Sequence, residues 1–305
     1  MIFNLNNQGA AELRRMTGNY YAGNDFSAIE MDIEDATDEL IQVIGRAVYD
    51  KAENAYLKGD GNDQVRLVQL VQRPIALLAT LHYFQRNDVS HEDSGRKVKL
   101  SSDGTDKIPW EWQLDRDDSI HLQAYYSAVE RLIRWLNESK DADWQKSDAY
   151  RNAAGLLIRS GREFDSYFPI SQSERMYILL LPFLREVQIA TVAPSYGEGF
   201  DKLLDATSDV RYAASKALAL LTMSVALRRM PLQLIPYSVV QGFNAANGMA
   251  DSKPASLADT QRMAAMLEAD AADWLERMRQ LRDGTSGEDI PLLPSNSKTN
   301  KYFRV

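Results

Sequence analysis

The chain has 305 residues, 45% of them hydrophobic, and carries 35 Lys and Arg against 43 Asp and Glu for a formal charge of −8. That length and apolar content suffice for one large domain or two ordinary ones and exclude a disordered chain, while the acidic balance argues against general nucleic-acid binding, which needs a basic surface. With no cysteine, disulfides, thiolate nucleophiles, Cys-ligated zinc and iron–sulfur clusters are excluded.

The first residues, MIFNLNNQGAAELRRMTG, lack the basic head and apolar run of an export signal, so cytoplasmic synthesis is expected. AAELRRM reads as a short helix. From Phe26 to Leu57, Ile29, Ile33, Ala36, Leu40, Ile44, Val48 and Ala52 recur at helical spacing, with Gly45 placed to kink or divide the helix. KGDGND at 58–63 is a turn. VRLVQLVQRPIALLATLHYF follows, apolar nearly all round, and is expected to be a central helix that Pro74 either bends or divides.

Next come VSHEDSGRKVKL and SSDGTDKIPWEW, the one region of the first half that favours β structure. Val98 and Leu100 alternate with Lys97 and Lys99, and Asp93-Ser94-Gly95 supplies a tight turn, so the loop 87–112 is expected to hold a short exposed hairpin. His91, Glu92 and Asp93 are consecutive, so on a strand they point to alternate faces and do not converge on one ion. Trp110 and Trp112, two apart as on a strand, are expected on one face, either as packing beneath the loop or as a partner contact. Helical spacing resumes at Ser119 with Ile120, Ala124, Ala128, Leu132 and Leu136, and the polar run at 137–148 marks a boundary.

The second half echoes the first. An entry helix at 148–168 precedes SQSE, which reads as a capping box of Ser171 and Glu174, and then the long apolar helix RMYILLLPFLREVQIATVAP. IGRAVYDKA at 44–52 has a counterpart in YGEGFDKLL at 196–204, and the segment 65–81 lines up with VRYAASKALALLTMSVA at 210–226. Duplication and two converging helical hairpins both fit this pattern. MPLQLIPYSVVQGFN is apolar and β-prone. A last helix is capped by Ser256 and Asp259, with Met263, Met266, Leu267, Asp270, Trp274, Met278 and Leu281 along its stripe. The apolar runs at 176–184 and 216–227 fall short of the roughly 20 residues that cross a bilayer, so no membrane segment is expected. The final GTSGEDIPLLPSNSKTNKYFRV loses all periodicity and reads either as a disordered end or as a docking tail whose contacts are Lys301, Tyr302, Phe303 and Arg304, with Val305 at its end.

The expected fold is therefore mainly α, with two tandem helical-bundle halves at 1–140 and 141–283, a hairpin-like loop in the first half, and an extended tail at 284–305. His82 reads as a structural histidine and His121 as a residue at a polar helix start. The acidic clusters at 30–35 and 115–118 suit helix starts, where they complement the dipole. Neither Gly-Asp-Gly at 59–61 nor Gly-Glu-Gly at 197–199 forms a phosphate cradle, and no nucleophile elbow occurs. No catalytic, cofactor-binding or metal-ligating residue is assigned. The candidate contact residues are His91, Glu92, Asp93, Ser94, Gly95, Arg96, Lys97, Trp110, Trp112 and the four tail residues.

Taken in order, IGRAVYDKA, ALLATLHYF, VSHEDSGRKV and YYSAVERLIRWL resemble an uncharacterised family of structural proteins encoded by phages and prophages of Bacteroidales. The first half is also similar to the head–tail connector, or adaptor, proteins that form rings beneath the phage portal, although a single connector unit is about half this chain. The resemblance implies a non-enzymatic virion protein, assembled in the bacterial cytoplasm as a homo-oligomeric ring. Its implied partners are other virion proteins of the portal, neck or tail, with no membrane, no cofactor and no specific nucleic-acid binding beyond a place near packaged DNA. It also implies that Asp93, Ser94 and Gly95 shape a loop between subunits, and that the tail reaches a neighbour. Other capsid or tail assembly roles, a host regulatory or scaffolding protein, and a helical enzyme built around His91 or His121 are the alternatives.

Overall fold

The computed structural model describes residues 1–18, 25–59, 62–92, 95–97, 110–230, 232–235, 238–241 and 256–284. The chain is mainly α. Among the described residues the α-helices of the first half are α1 (Gly9–Thr17), α2 (Glu30–Ile44), α3 (Arg46–Lys58), α4 (Asn62–Asn87) and α5 (Glu111–Ser139). The stripe read from the sequence is the buried face of α2, with Ile33, Ala36, Leu40 and Ile44 fully enclosed. It does not continue as one helix, because Gly45 adopts φ 87° and ψ 149°, a conformation essentially reserved for glycine, and α3 leaves in a new direction.

α4 runs unbroken through Pro74. Proline removes the donor that would meet the carbonyl four residues earlier, so the helix gives up one hydrogen bond there without ending. Leu67, Leu70, Val71, Ile75, Ala76, Leu78, Ala79 and Leu81 are all buried, so α4 has little solvent face and α1, α2, α3 and α5 surround it. α5 starts at Glu111, eight residues before the Ser119 expected from spacing, and buries Ala128, Val129, Leu132, Ile133 and Leu136 against α4. After α5, Lys140 turns left-handed (φ 51°), and the Asp141 carboxylate accepts from the amides of Asp143 (2.9 Å) and Trp144 (3.0 Å) and from Lys51 Nζ (2.5 Å). Trp144 still belongs to the first core; the second begins at Ala153.

The second half contains α6 (Asp148–Ala154), α7 (Gly161–Asp165), α8 (Glu174–Val187), α9 (Ala193–Tyr196), α10 (Phe200–Leu203), α11 (Asp209–Arg229) and α12 (Leu257–Asp283). α8 and α9 are joined by a π-helical turn, Gln188–Val192. The buried Gln188 side chain accepts from Leu157 N (2.8 Å) and donates to Gly155 O (2.9 Å), tying the end of α6 to this turn. The expected capping box shifts by two residues. Ser173, not Ser171, accepts from Met176 N (3.0 Å), since Ser171 and Gln172 take positive φ. At α12 the expected cap holds: Ser256 accepts from Asp259 N at 3.1 Å.

The stripe of α12 is rotated from the expected one. Ala264, Leu267, Ala271, Leu275 and Met278 face inward, while Met263 and Met266 face out. Along it α11 presents Ala213, Ala214, Ala217 and Ala219, and small residues on both helices, with Ala264 and Ala271 on α12, allow a close approach. Two continuous helical stretches, Glu174–Tyr196 and Asp209–Arg229, are long and apolar enough to cross a membrane, although the uninterrupted apolar runs inside them are shorter. Both belong to the second core, and 61% of the α11 window is buried there, as befits a core helix.

Within the hairpin loop, the backbone of Ser90–Glu92 pairs antiparallel with Gly95–Lys97, Ser90 opposite Lys97. In the second half Leu232–Ile235 pairs with Ser238–Gln241 in the same way. Val98, Leu100 and the tail from residue 285 lie outside the described residues.

Two substitutions test this account. Gly45→Ala places a Cβ in ordinary contact with Ser147 but strains the backbone, and is expected to cost about 1–3 kcal/mol in urea unfolding. Burial alone raises the Asp141 carboxyl, but Lys51 and the two amides outweigh it and hold the group below its ordinary 3.8. A depressed carboxyl stabilises the fold above its unfolded value and loses that contribution as pH falls through the folded one. Asp141→Asn should therefore lower the urea midpoint near neutral pH, and the gap to the parent chain should narrow as pH falls below 3.8.

Candidate functional site

The end of α4 and the start of α5 meet at one tip of the first half. Gln85 Nε2 donates to Asp118 Oδ2 (2.8 Å), and the Phe84 ring stands edge-on to His121 at 5.9 Å. Burial, reinforced by the charge of Asp118, raises the Asp88 carboxyl above its usual value. The backbone N–H of Trp110 donates to Gln113 Oε1 (3.0 Å), which fixes Trp110 as the residue that opens α5.

That position corrects the strand reading. Trp112 lies in the first turn of a helix, so strand spacing no longer places the two indoles on one face. Trp110 is 72% exposed and Trp112 59%. The strand reading rested on the two-residue spacing of Trp110 and Trp112 alone. A proline just before a helix start is compatible with it, and the Gln113 side chain caps the turn.

Of the other candidate contacts, His91, Glu92, Gly95, Arg96 and Lys97 belong to the paired backbone segments that begin three residues after α4 ends. Asp93, Ser94, Lys301, Tyr302, Phe303 and Arg304 lie outside the described residues. The structure thus brings the hairpin stem and the two tryptophans to the same α4–α5 connection.

His121 is not at a polar helix start. It is 3% exposed in the third turn of α5, with Nε2 3.7 Å from Asp117 Oδ2. Beside it lies a cleft of about 320 Å³ lined by Arg15, Arg73, Leu77, Ile120 and Ala124 among others. Arg73 donates to Met16 O at 3.1 Å. No carboxylate lines this cleft among the described residues. Among the described residues no group of three or more His, Asp or Glu is placed to hold a metal ion.

A second feature carries no sequence signal at all. Glu130, on the outer side of α5, reaches the start of α8: its carboxylate accepts from Ser173 Oγ (2.5 Å), Glu174 N (2.7 Å) and Arg175 N (2.9 Å). A carboxylate there meets both the unpaired amides and the positive end of the helix dipole. Arg175 then lies over the Tyr126 ring at 3.7 Å, and Ile178 packs against both cores. Glu174 points the other way, accepting from Gly161 N (2.9 Å) and Arg162 N (3.4 Å) at the start of α7. Burial raises the Glu174 carboxyl and the Glu130 charge adds to this, against the two amides. The halves are joined by polar groups at a helix start. A carboxylate 43 residues from the serine it bonds cannot be matched to it by spacing along the chain.

Residues 40–154 and 193–286, together more than half of the chain, match the model of a family of unknown function, DUF6712. No curated protein and no solved structure matches the chain.

Removing the carboxylate tests the joint. Glu130→Ala should cost about 1–2 kcal/mol, in the range of lost helix caps, and should speed hydrogen exchange at the amides of Glu174 and Arg175. Unchanged exchange there would show that the cap does not hold the joint.

Proposed function

The chain belongs to the DUF6712 family of unknown function, and we propose that it is a non-enzymatic structural subunit of a phage particle, most specifically a head–tail connector or adaptor ring subunit. In this reading it is assembled in the bacterial cytoplasm, incorporated in the virion, and contacts copies of itself and portal or neck proteins.

The observation that carries the proposal is the tip. Two tryptophans stand mostly in water at the start of α5, where α4 and α5 meet. Large exposed apolar groups at one projection mark contact sites, and tryptophan dominates the centres of such contacts. Two enclosed cores behind them supply a stiff support. The net charge of −8 agrees with a wall past which packaged DNA slides without sticking. The sequence resemblance to connector proteins supplies the specific role.

The direct test is the mass of the intact protein, alone and mixed with a phage portal protein. A closed homo-oligomer or a defined complex with the portal is expected; a monomer that ignores the portal overturns the reading. At the tip, Trp110→Ala with Trp112→Ala should leave stability within about 1 kcal/mol, as for exposed positions. The same pair should weaken partner binding by at least roughly tenfold. Calorimetry and a binding titration separate the two effects.

A further inference from the structure

The internal joint is a template for a contact between copies. The halves share three helices in the same order: α2, α4 and α5 in the first, α8, α11 and α12 in the second. Setting Trp135-Leu136 of α5 on Trp274-Leu275 of α12 brings buried Tyr125, Ala128, Leu132 and Leu136 onto buried Ala264, Leu267, Ala271 and Leu275. Likewise buried Ile33, Ala36, Thr37 and Leu40 of α2 fall on buried Tyr177, Leu180, Leu181 and Leu184 of α8.

In that register the residues by which α5 receives α8, Tyr126 and Glu130, correspond to Ala265 and Ala269 of α12. Both are exposed, and beside them Met266 is 57% exposed and Met263 49%. The α8 residue that lies on Tyr126, Arg175, corresponds to Met31 of α2, which is 69% exposed. Each copy therefore uses the contact once inside itself and leaves both of its sides bare, one on α12 and one on α2. The bare sides carry Met31 on α2 and Met263 and Met266 on α12 where the internal one is polar, and exposing these apolar groups to water costs free energy. Arg262 lies one turn before Ala265, and Glu34 and Asp35 one turn after Met31, all exposed, while Asp270 and Asp273 of α12 are exposed as well.

We propose that the outer face of α12 in one copy receives the start of α2 in a second copy, in the arrangement by which α5 receives α8. The two surfaces differ, so the contact is head-to-tail, and repetition closes it into a ring or extends it as a filament. The proposal deepens the ring reading, on which it rests, by naming the surface that joins neighbours.

The absence of cysteine makes the test clean in the full chain. With Met31→Cys and Ala265→Cys combined, a short bis-maleimide should link copies into a ladder beyond the dimer, whereas either substitution alone stops at dimers. Ala269→Glu should weaken self-association at least tenfold in sedimentation while leaving the melting curve unchanged. A double variant that links no further than the single ones overturns the proposal. Self-association that persists in folded Ala269→Glu overturns the α12 surface and leaves the ring reading standing. A parent chain that stays monomeric at every concentration, with or without the portal protein, overturns both.

Discussion

A helix that is apolar nearly all round has little face to give to water, and α4 and α11 are both of this kind. Each can exist only inside a jacket of other helices, and each half of the protein is that jacket. Around α4 the jacket is built of large residues, with Ile33 and Leu40 from α2, Val48 from α3 and Leu132 from α5. Around α11 it holds Leu180 and Leu184 from α8 and Leu267, Ala271 and Leu275 from α12, while α11 itself supplies small residues, Ala213, Ala214 and Ala217. Enclosure also explains how α4 tolerates Pro74. Apolar packing on all sides contributes more than the one helix hydrogen bond that proline removes.

The two jackets do not merge. What joins them is mainly polar: a carboxylate on a helix start, an arginine on a tyrosine ring, and the Arg162–Glu138 pair at 3.6 Å. Apolar faces tolerate sliding, whereas a charged group that accepts three hydrogen bonds admits one position. The joint therefore contributes direction more than adhesion. It also passes that direction on, since Glu130 holds the start of α8 while Glu174, the first residue of α8, holds the start of α7.

Most helices were legible in the sequence because burial imposes a period. The stripe of α2, the nearly all-round apolarity of α4, the apolar run of α11 at 216–227 and the division at Gly45 follow from residue type alone. Failures came where a distant partner decides. The α12 stripe was misplaced because methionine outweighs alanine in any hydrophobic reading, while close packing against α11 prefers alanine. The cap of α8 was assigned to Ser171, but the left-handed turn at Ser171 and Gln172 moves the helix start to Ser173. Trp110 and Trp112 looked like strand residues because spacing by two is the same in a short strand and in a helix start. Of the candidate site, the loop and its tryptophans were named from local signals, and Glu130 was not, since its partners lie in the other half.

α5 links the exposed tip to the joint. From Trp110 to Glu130 it spans about 30 Å, at 1.5 Å of rise per residue, and its middle is clamped along α4. A pull or push on the indoles is thus delivered, through a stiff rod, to the hydrogen bonds that orient the second half. Whatever grips the tip holds a lever, and the angle between the halves is the quantity it turns.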